Sequence, residues 1–534
     1  MSAAMSSSFD YAVIGAGSAG CVLANRLTAN GRHSVLLLEA GPRDTDPWIH
    51  IPLGYGKLFT KRATNWSYES EPEPELNGRR IFTPRGKVLG GSSSINGLVY
   101  IRGQREDFDA WNIPGWSYDE LLPYFIKSED QQRGANEWHG VGGPLAVGDL
   151  PDKHVLADAF IASAKANGIP ANDDFNGATQ EGAGYYQATT RNGRRCSTAV
   201  GFLRPALKRA NLRVETGALA TRILFEGTRA VGVEYRQAGR LRTVRAAREM
   251  ILSGGAFNSP QLLQLSGVGP RSLLQQHGIP VVLDSAGVGE GLQDHLYVRT
   301  FWRCTQAITL NDDMLSLWRK LGIGLNYFFR RRGPLTISAG LAAAFTRTRP
   351  DVARPDAQFY FINFSMQKRG GLLHPFSAFT CSLSQLRAES RGWVRIRSAD
   401  PQEAPAIRYN YLSTENDRRM MVDGLKLLRR LVNTAPLSSY VAKEESPGEA
   451  VSSDADWLAY CRESGETVFH PTSTCRMGED EGSVVDARLR VRGLAGLRVI
   501  DASVMPAVVS GNTNAATIAI AEKGADLVLE GESG

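Results

Sequence analysis

The glycine triplet Gly15-x-Gly17-x-x-Gly20, set directly behind the apolar run 11–14, constrains the fold more than any other feature of this chain. The run reads as a buried strand, the residues up to Leu27 as a helix, and 34–39 as a second strand. Strand, glycine loop, helix and strand within about 30 residues make the βαβ unit that takes a dinucleotide. Gly15 allows the tight turn, and Gly17, with Ser18 and Ala19 beside it, lets a pyrophosphate approach the positive end of the helix. Gly20 permits close packing of helix on strand. Glu39, followed by Ala40, ends the second strand, where a carboxylate accepts hydrogen bonds from an adenosine ribose and disfavours a 2′-phosphate. By itself the unit does not separate FAD from NAD.

At 534 residues the chain exceeds what one hydrophobic core supports, and its strand signals return late. Short strands are predicted at 211–215, 223–225 and 230–236, and a buried one at 249–253 running into Gly254 and Gly255. Ser259 as cap and Pro260 at the first helical position predict a helix start there. A last strand at 497–500 and a closing helix at 513–529 complete an interrupted dinucleotide domain, assigned to 1–150, 196–300 and 461–534. Alternating patterns at 357–364, 378–383 and 393–396 predict an antiparallel sheet with helices, assigned to a substrate domain of 151–195 and 301–460. The fold class is therefore α/β with a Rossmann-type domain.

Composition removes several functions. The 61 Lys and Arg are interleaved with 55 Asp and Glu for a net charge of +6, without the basic block that a nucleic-acid partner requires. Six scattered cysteines with no CxxC pair argue against a zinc site or a disulfide framework and fit a reducing cytoplasm. The N-terminus lacks the basic region of a secretory signal. No stretch approaches the roughly 20 apolar residues that span a bilayer, so any membrane association is peripheral, at the inner face. The segment 314–332 is the candidate for it, mixing Leu315, Leu317, Trp318, Tyr327, Phe328 and Phe329 with Arg319, Lys320 and Arg330 to Arg332. Its plainer reading is a helix packed on the substrate domain with solvated basic ends.

Three longer blocks carry more information than the triplet. They run from Arg85 to Val99, from Gly255 to Gly269, and from His470 through Asp501 to Asn514. In order, and over nearly the whole chain, they resemble the signatures of the glucose–methanol–choline (GMC) oxidoreductases. Within that family the chain is similar to the acceptor-linked branch that oxidises choline, aliphatic alcohols, polyethylene glycol and L-sorbose. The resemblance implies an extended FAD, its pyrophosphate over Gly15 to Gly20, its ribose on Glu39 and its adenine beside Val214. Val88, Gly91, Asn96, Gly97, Leu98 and Val99 would follow the flavin, and Asp501, Ala502, Asn514 and Ala515 would complete the site. Some relatives tether FAD through a histidine at the position of Ile95; isoleucine cannot form that bond, so binding is expected to be non-covalent.

Oxidising an alcohol at a flavin removes a hydride to N5 and a proton from the hydroxyl, and histidine is the base best suited to neutral pH. Of eight histidines, His470 matches the family's catalytic position, and Asn514 is taken as its partner, donating to the substrate oxygen. His295, in the block from Gly291, is expected to orient its loop. The implied reaction turns a primary alcohol into an aldehyde and passes electrons to a quinone or another acceptor. An oxygen-reducing oxidase is the alternative.

Overall fold

The computed structural model describes residues 8–367 and 370–531. β1 (Ser8–Ile14), α1 (Ser18–Leu27) and β2 (Val35–Glu39) form the βαβ unit, with Tyr11 opposite Val35 in a parallel pair. β3 (Leu212–Thr216) continues the parallel sheet beyond β2. The next three strands, β4 (Ala218–Glu226), β5 (Arg229–Gln237) and β6 (Arg240–Leu252), are an antiparallel meander, giving the order β3-β2-β1-β6-β5-β4.

β6 has partners of both kinds. On one edge it runs parallel to β1; on the other it pairs first with β5 and then, at Met250 to Leu252, with Leu497–Val499. The sequence predicted only its end, because Met250, Ile251 and Leu252 are buried while most of the preceding residues, four arginines among them, are exposed or half-buried. A one-sided solvated strand gives a weaker apolar signal than a doubly covered one.

α2 (Gly255–Leu265) begins five residues before the predicted start, with Ser259 and Pro260 inside it. Pro260 has no N–H to offer the carbonyl of Ala256, one turn earlier. That carbonyl instead accepts from Thr474 Oγ1 at 2.7 Å, which removes the usual penalty for an interior proline.

The second sheet is wholly antiparallel. β7 (Leu296–Cys304), β8 (Ala342–Thr346), β9 (Ala357–Ile362), β10 (Ala378–Gln385) and β11 (Val441–Ser446) take the order β11-β7-β10-β9-β8, with Gly182–Tyr185 beyond β8. β7 shows why the sheet is placed as it is. Leu296, Val298 and Trp302 enter a core with Phe359, Phe361 and Phe379, whereas Tyr297 and Arg299 alternate onto the opposite face.

α3 (Leu317–Arg330) departs from the plainer sequence reading: Tyr327 is its one buried residue, and its large apolar side chains face outward. α4 (Asn514–Glu530) closes the chain against α1. Arg26 spans the two helices with a two-pronged bond to Glu522, at 2.6 and 2.7 Å, and the Glu522 side chain is fully buried. Among the described residues no helix is long and apolar enough to cross a membrane.

Candidate active site

A continuous cavity of about 520 Å³ runs between the two sheets. Gly15, Gly17, Ser18, Ala19, Glu39, Ala40, Gly91, Asn96, Gly97, Leu98, Val99, Asp501, Ala502 and Asn514 all line it, as does His470. Backbone closeness explains the glycines. A Cβ on Gly20 would meet the carbonyl oxygen of Gly15 at 1.8 Å, and one on Gly91, whose φ is +52°, would meet Gly17 Cα at 2.6 Å. Two glycine loops therefore touch and leave a bare backbone cradle, the shape an extended dinucleotide requires.

Glu39 is buried at one end of the cradle. Its Oε2 accepts from Ala16 N at 2.9 Å and its Oε1 from Gly41 N at 2.8 Å, leaving lone pairs on both oxygens for a ribose. Burial pushes its pKa up to about 7 against the opposing pull of those two amides. Four expected residues stand back from the cavity. Gly20 packs helix on loop, Val88 lies behind the wall in contact with Ile49, Leu58 and the lining residue Ile95, and Ala515 is in the main core. Val214 also packs on that core, while Ala218, Leu219 and Ala220 line the cavity at its end of the sheet.

His470 stands at the other end, held by a block that the sequence placed only in part. Its backbone N–H donates to Asp294 Oδ1 at 2.7 Å, and Asp294 also accepts from the hydroxyls of Tyr411 and Thr467. Phe469 has a φ of +73°, strained for a bulky side chain, and its peptide is pinned by Thr467 Oγ1 on the N–H side and by Arg85 Nη1, at 2.8 Å, on the carbonyl. The backbone around the histidine is thus over-determined.

The structure sets Asn512, and not the expected Asn514, against His470. Asn512 Nδ2 lies 3.1 Å from His470 Nε2, whereas Asn514 Oδ1 accepts from Ser18 Oγ at 2.7 Å in the glycine loop. The reason is helical geometry: Asn514 opens α4 and its side chain reaches the first residue of α1, while Asn512 lies in the non-helical segment just before α4. Gln358 Nε2 donates to Asn512 Oδ1 at 3.4 Å, an arrangement that turns the Asn512 amide nitrogen toward His470. With that amide donating to Nε2, a neutral His470 would carry its hydrogen on Nδ1, which faces His295 Nδ1, 3.0 Å away. His295 is fully buried and desolvation lowers its pKa to about 4, so it is neutral and able to accept.

Asn512, Asp294 and Arg195 are the positions that sequence reasoning passed over. Asn512 and Asp294 stood in the quoted blocks, but only coordinates tell two asparagines two residues apart from one another. Arg195 fell outside the three long blocks; buried, it grips Asn96 through the side-chain oxygen at 2.6 Å and the carbonyl at 2.7 Å.

Around His470 the walls are aromatic and apolar. Phe59 packs on Phe469 with ring centres 5.4 Å apart, and Tyr297 on Tyr360 at 5.9 Å. Arg299 reaches the cavity from β7 beside Tyr297. The lining carboxylates among the described residues are Glu39, Asp501 and Glu403. Asp501 is committed to Gly255 N and Ser259 Oγ at the start of α2, and Glu403 lies against Gln261 of α2.

Two family models, each described as GMC oxidoreductase, match residues 9–297 and 388–521. Mouse (Mus musculus) mitochondrial choline dehydrogenase is 44% identical over 97% of this chain and 89% of its own length. An alcohol dehydrogenase [acceptor] of Pseudomonas putida is 43% identical over 98% and 96%. Among solved structures, pyridoxine 4-oxidase from Mesorbium loti superposes with a TM-score of 0.87 at 31% identity, covering 97% of this chain and 98% of the other. The cradle, the histidine site and these matches agree, and the chain belongs to the GMC oxidoreductase family.

Proposed function

We propose that this protein binds FAD non-covalently and oxidises a neutral primary alcohol to its aldehyde, with electrons passing to a quinone or another acceptor. The observation that carries the reading is the pairing of His470 Nε2 with Asn512 Nδ2 at the cavity wall. When bound, FAD supplies the hydride acceptor. The chain supplies the rest. His470, with its lone pair on Nε2, takes the hydroxyl proton, and the Asn512 amide donates to the oxygen as negative charge grows there. Asn514 and Ser18 brace the cofactor loop in place of the substrate. The residues assigned to 1–150, 196–300 and 461–534 would hold the cofactor, and the antiparallel sheet would roof it and shape the alcohol pocket.

Relatives named for choline and for alcohols match almost equally well, so identity does not choose between them. A neutral substrate is the better match to the pocket. Tyr297, Tyr360 and Phe469 line the cavity together with the cation Arg299, while the lining carboxylates are Glu39 at the glycine loop and Asp501 and Glu403 at α2. Ile95 lines the same cavity and has no nucleophilic atom to bond a flavin. Electron transfer to oxygen is the competing outcome, because relatives of this fold include oxidases.

The test is anaerobic bleaching of the visible flavin band with primary alcohols, diols, choline and sorbose, followed by admission of air. Fast bleaching by alkanols with slow recolouring, accelerated by a quinone analogue, is the expected result. Rapid recolouring with stoichiometric hydrogen peroxide would replace the dehydrogenase by an oxidase, and no bleaching with any alcohol would end the proposal.

A further inference from the structure

Helix α3 is built inside out. Successive residues of an α-helix are about 100° apart, which puts Leu317, Trp318, Leu321, Leu325, Phe328 and Phe329 on one arc of about 120°. In a helix lying on a globular core that arc faces inward. Here all six side chains are solvent-facing, from 48% exposed at Leu325 to 82% at Trp318. The protein is touched by the opposite side, through Tyr327, 6% exposed, and the half-buried Ile323. Met314 and Leu315, just before the helix, are exposed as well and extend the apolar surface.

Charge frames the arc. Leu317–Arg330 contains no acidic residue. On the helical wheel Arg319 and Arg330 stand beyond one edge of the apolar arc and Lys320 beyond the other, and the basic run continues through Arg331 and Arg332. Arg319 is partnered by Asp313 at 3.4 Å and Arg332 by Asp152 at 3.5 Å, both at exposed positions where screening leaves the cations able to attract an anionic surface.

We infer that α3 lies flat on an anionic phospholipid bilayer, its aromatic and leucine side chains in the headgroup boundary and its arginines and lysine on lipid phosphates. A large apolar face rimmed by basic residues is the signature of an interfacial helix. Trp and Phe suit the boundary, where one side is apolar and the other wet. A second copy of the chain is a poorer occupant, because a two-fold contact through this arc would bring one basic rim close to another. An ordinary water-facing helix does not carry so large an exposed apolar patch.

The position of the helix gives docking a consequence. The chain leaving α3 reaches Ala339, which lines the cavity and donates its N–H to Gly97 O at 2.9 Å in the flavin-side loop. A bilayer under α3 would lie near the cavity and present lipid-dissolved acceptors to it. That step rests on the quinone reading given above; the docking does not.

The experiment uses the full chain with its FAD and no substrate, so that it fails or succeeds apart from the catalytic proposal. Co-sedimentation is measured with vesicles of phosphatidylcholine alone and of phosphatidylcholine mixed equally with phosphatidylglycerol. The chain is expected to sediment with the mixed vesicles and to stay in solution with phosphatidylcholine. The surface variant L321Q/L325Q/F328Q should lower partitioning at least about tenfold. K320E/R330E, or high salt, should lower it similarly, and both variants should keep the flavin spectrum, since none of these side chains is buried. Sedimentation unchanged in both variants, equal binding to neutral vesicles, or no binding to the mixed vesicles would overturn the inference. Absence of binding together with a dimer, seen by light scattering and dissolved by the triple variant, would assign the arc to a second copy instead.

Discussion

The imidazole of His295 meets that of His470 edge to face, at 86° and with their Nδ1 atoms 3.0 Å apart. Because burial keeps His295 neutral, its Nδ1 can accept from Nδ1 of His470, which in the proposed reaction leaves Nε2 as the basic nitrogen. Substituting His295 by Leu should slow alcohol-driven flavin reduction by about ten- to a hundredfold, the scale of removing a hydrogen bond that orients a catalytic group. His295→Gln, which restores an acceptor, should recover part of the rate. The pH profile distinguishes positioning from mere packing: the Leu variant should change its shape, while a purely structural defect would lower it uniformly. His470→Ala is the reference, losing about 10²- to 10⁴-fold with FAD retained.

Asn512 and Asn514 are two residues apart and should fail in different ways. Asn512→Ala removes the amide at His470 Nε2, so flavin reduction should fall by roughly 10²-fold with normal cofactor content. Asn514→Ala removes the acceptor of Ser18 Oγ, so FAD should dissociate more readily while the rate of fully loaded enzyme changes by less than about fivefold. Stopped-flow reduction and flavin-to-protein ratio separate the two. If Asn514→Ala gave the larger rate loss, the assignment would revert to Asn514.

The same two asparagines show how far sequence carries the argument. The βαβ unit, the late return of Leu497–Val499, the closing helix and the antiparallel roof were legible because each has either a period or a glycine signature. The place of His470 on the cavity wall was legible through its motif, while its role as base is part of the proposal. What was not legible depends on facing. Two residues apart, one asparagine turns to α1 and the other to His470, and no periodicity distinguishes them. The start of α2 was missed because the carbonyl orphaned by Pro260 is satisfied by Thr474, more than 200 residues away in sequence. The outward face of α3 is likewise invisible in its own sequence, since an amphipathic pattern reads the same whichever side meets the protein.

Ile95 carries a prediction about attachment. It is packed with Ile49, Leu58 and Val88 and lines the cavity. Acid precipitation should therefore release all FAD into the supernatant. Yellow colour remaining in the washed, denatured protein would require a covalent bond from another residue.

Glu39 ties cofactor affinity to pH. In the apoprotein its pKa is raised from 4.5 to about 7 by burial, so the neutral form is the one that folding favours. Stability from this group is complete below the unfolded value and is lost as pH rises toward 7. A ribose hydroxyl donates best to the ionised carboxylate, so FAD binding should release a proton in that window and tighten as pH rises through it. Titration of FAD into apoprotein from one unit below to one unit above that pKa should show this trend. Glu39→Gln should bind more weakly and without it, and a wild-type affinity that is flat over the same range would remove Glu39 from ribose recognition.

The proposed preference for a neutral substrate rests on Arg299, which shares the cavity-facing side of β7 with Tyr297 and has Glu466, 3.8 Å away, as a distant partner. A trimethylammonium in this pocket gains cation–π attraction from Tyr297, Tyr360 and Phe469 but meets a like charge, and a guanidinium close by costs more than one aromatic ring returns. Alkanols should therefore reduce the flavin with a kcat/KM at least about tenfold above that of choline, since about 1.4 kcal/mol of repulsion suffices for that ratio. Arg299→Glu should reverse the preference by raising choline turnover, with the gain in KM and not in kcat, because the charge acts on binding of the cation. If choline were the better substrate of the unaltered enzyme, Arg299 would have to be drawn away by Glu466 when substrate binds, and the variant would then leave choline turnover unchanged.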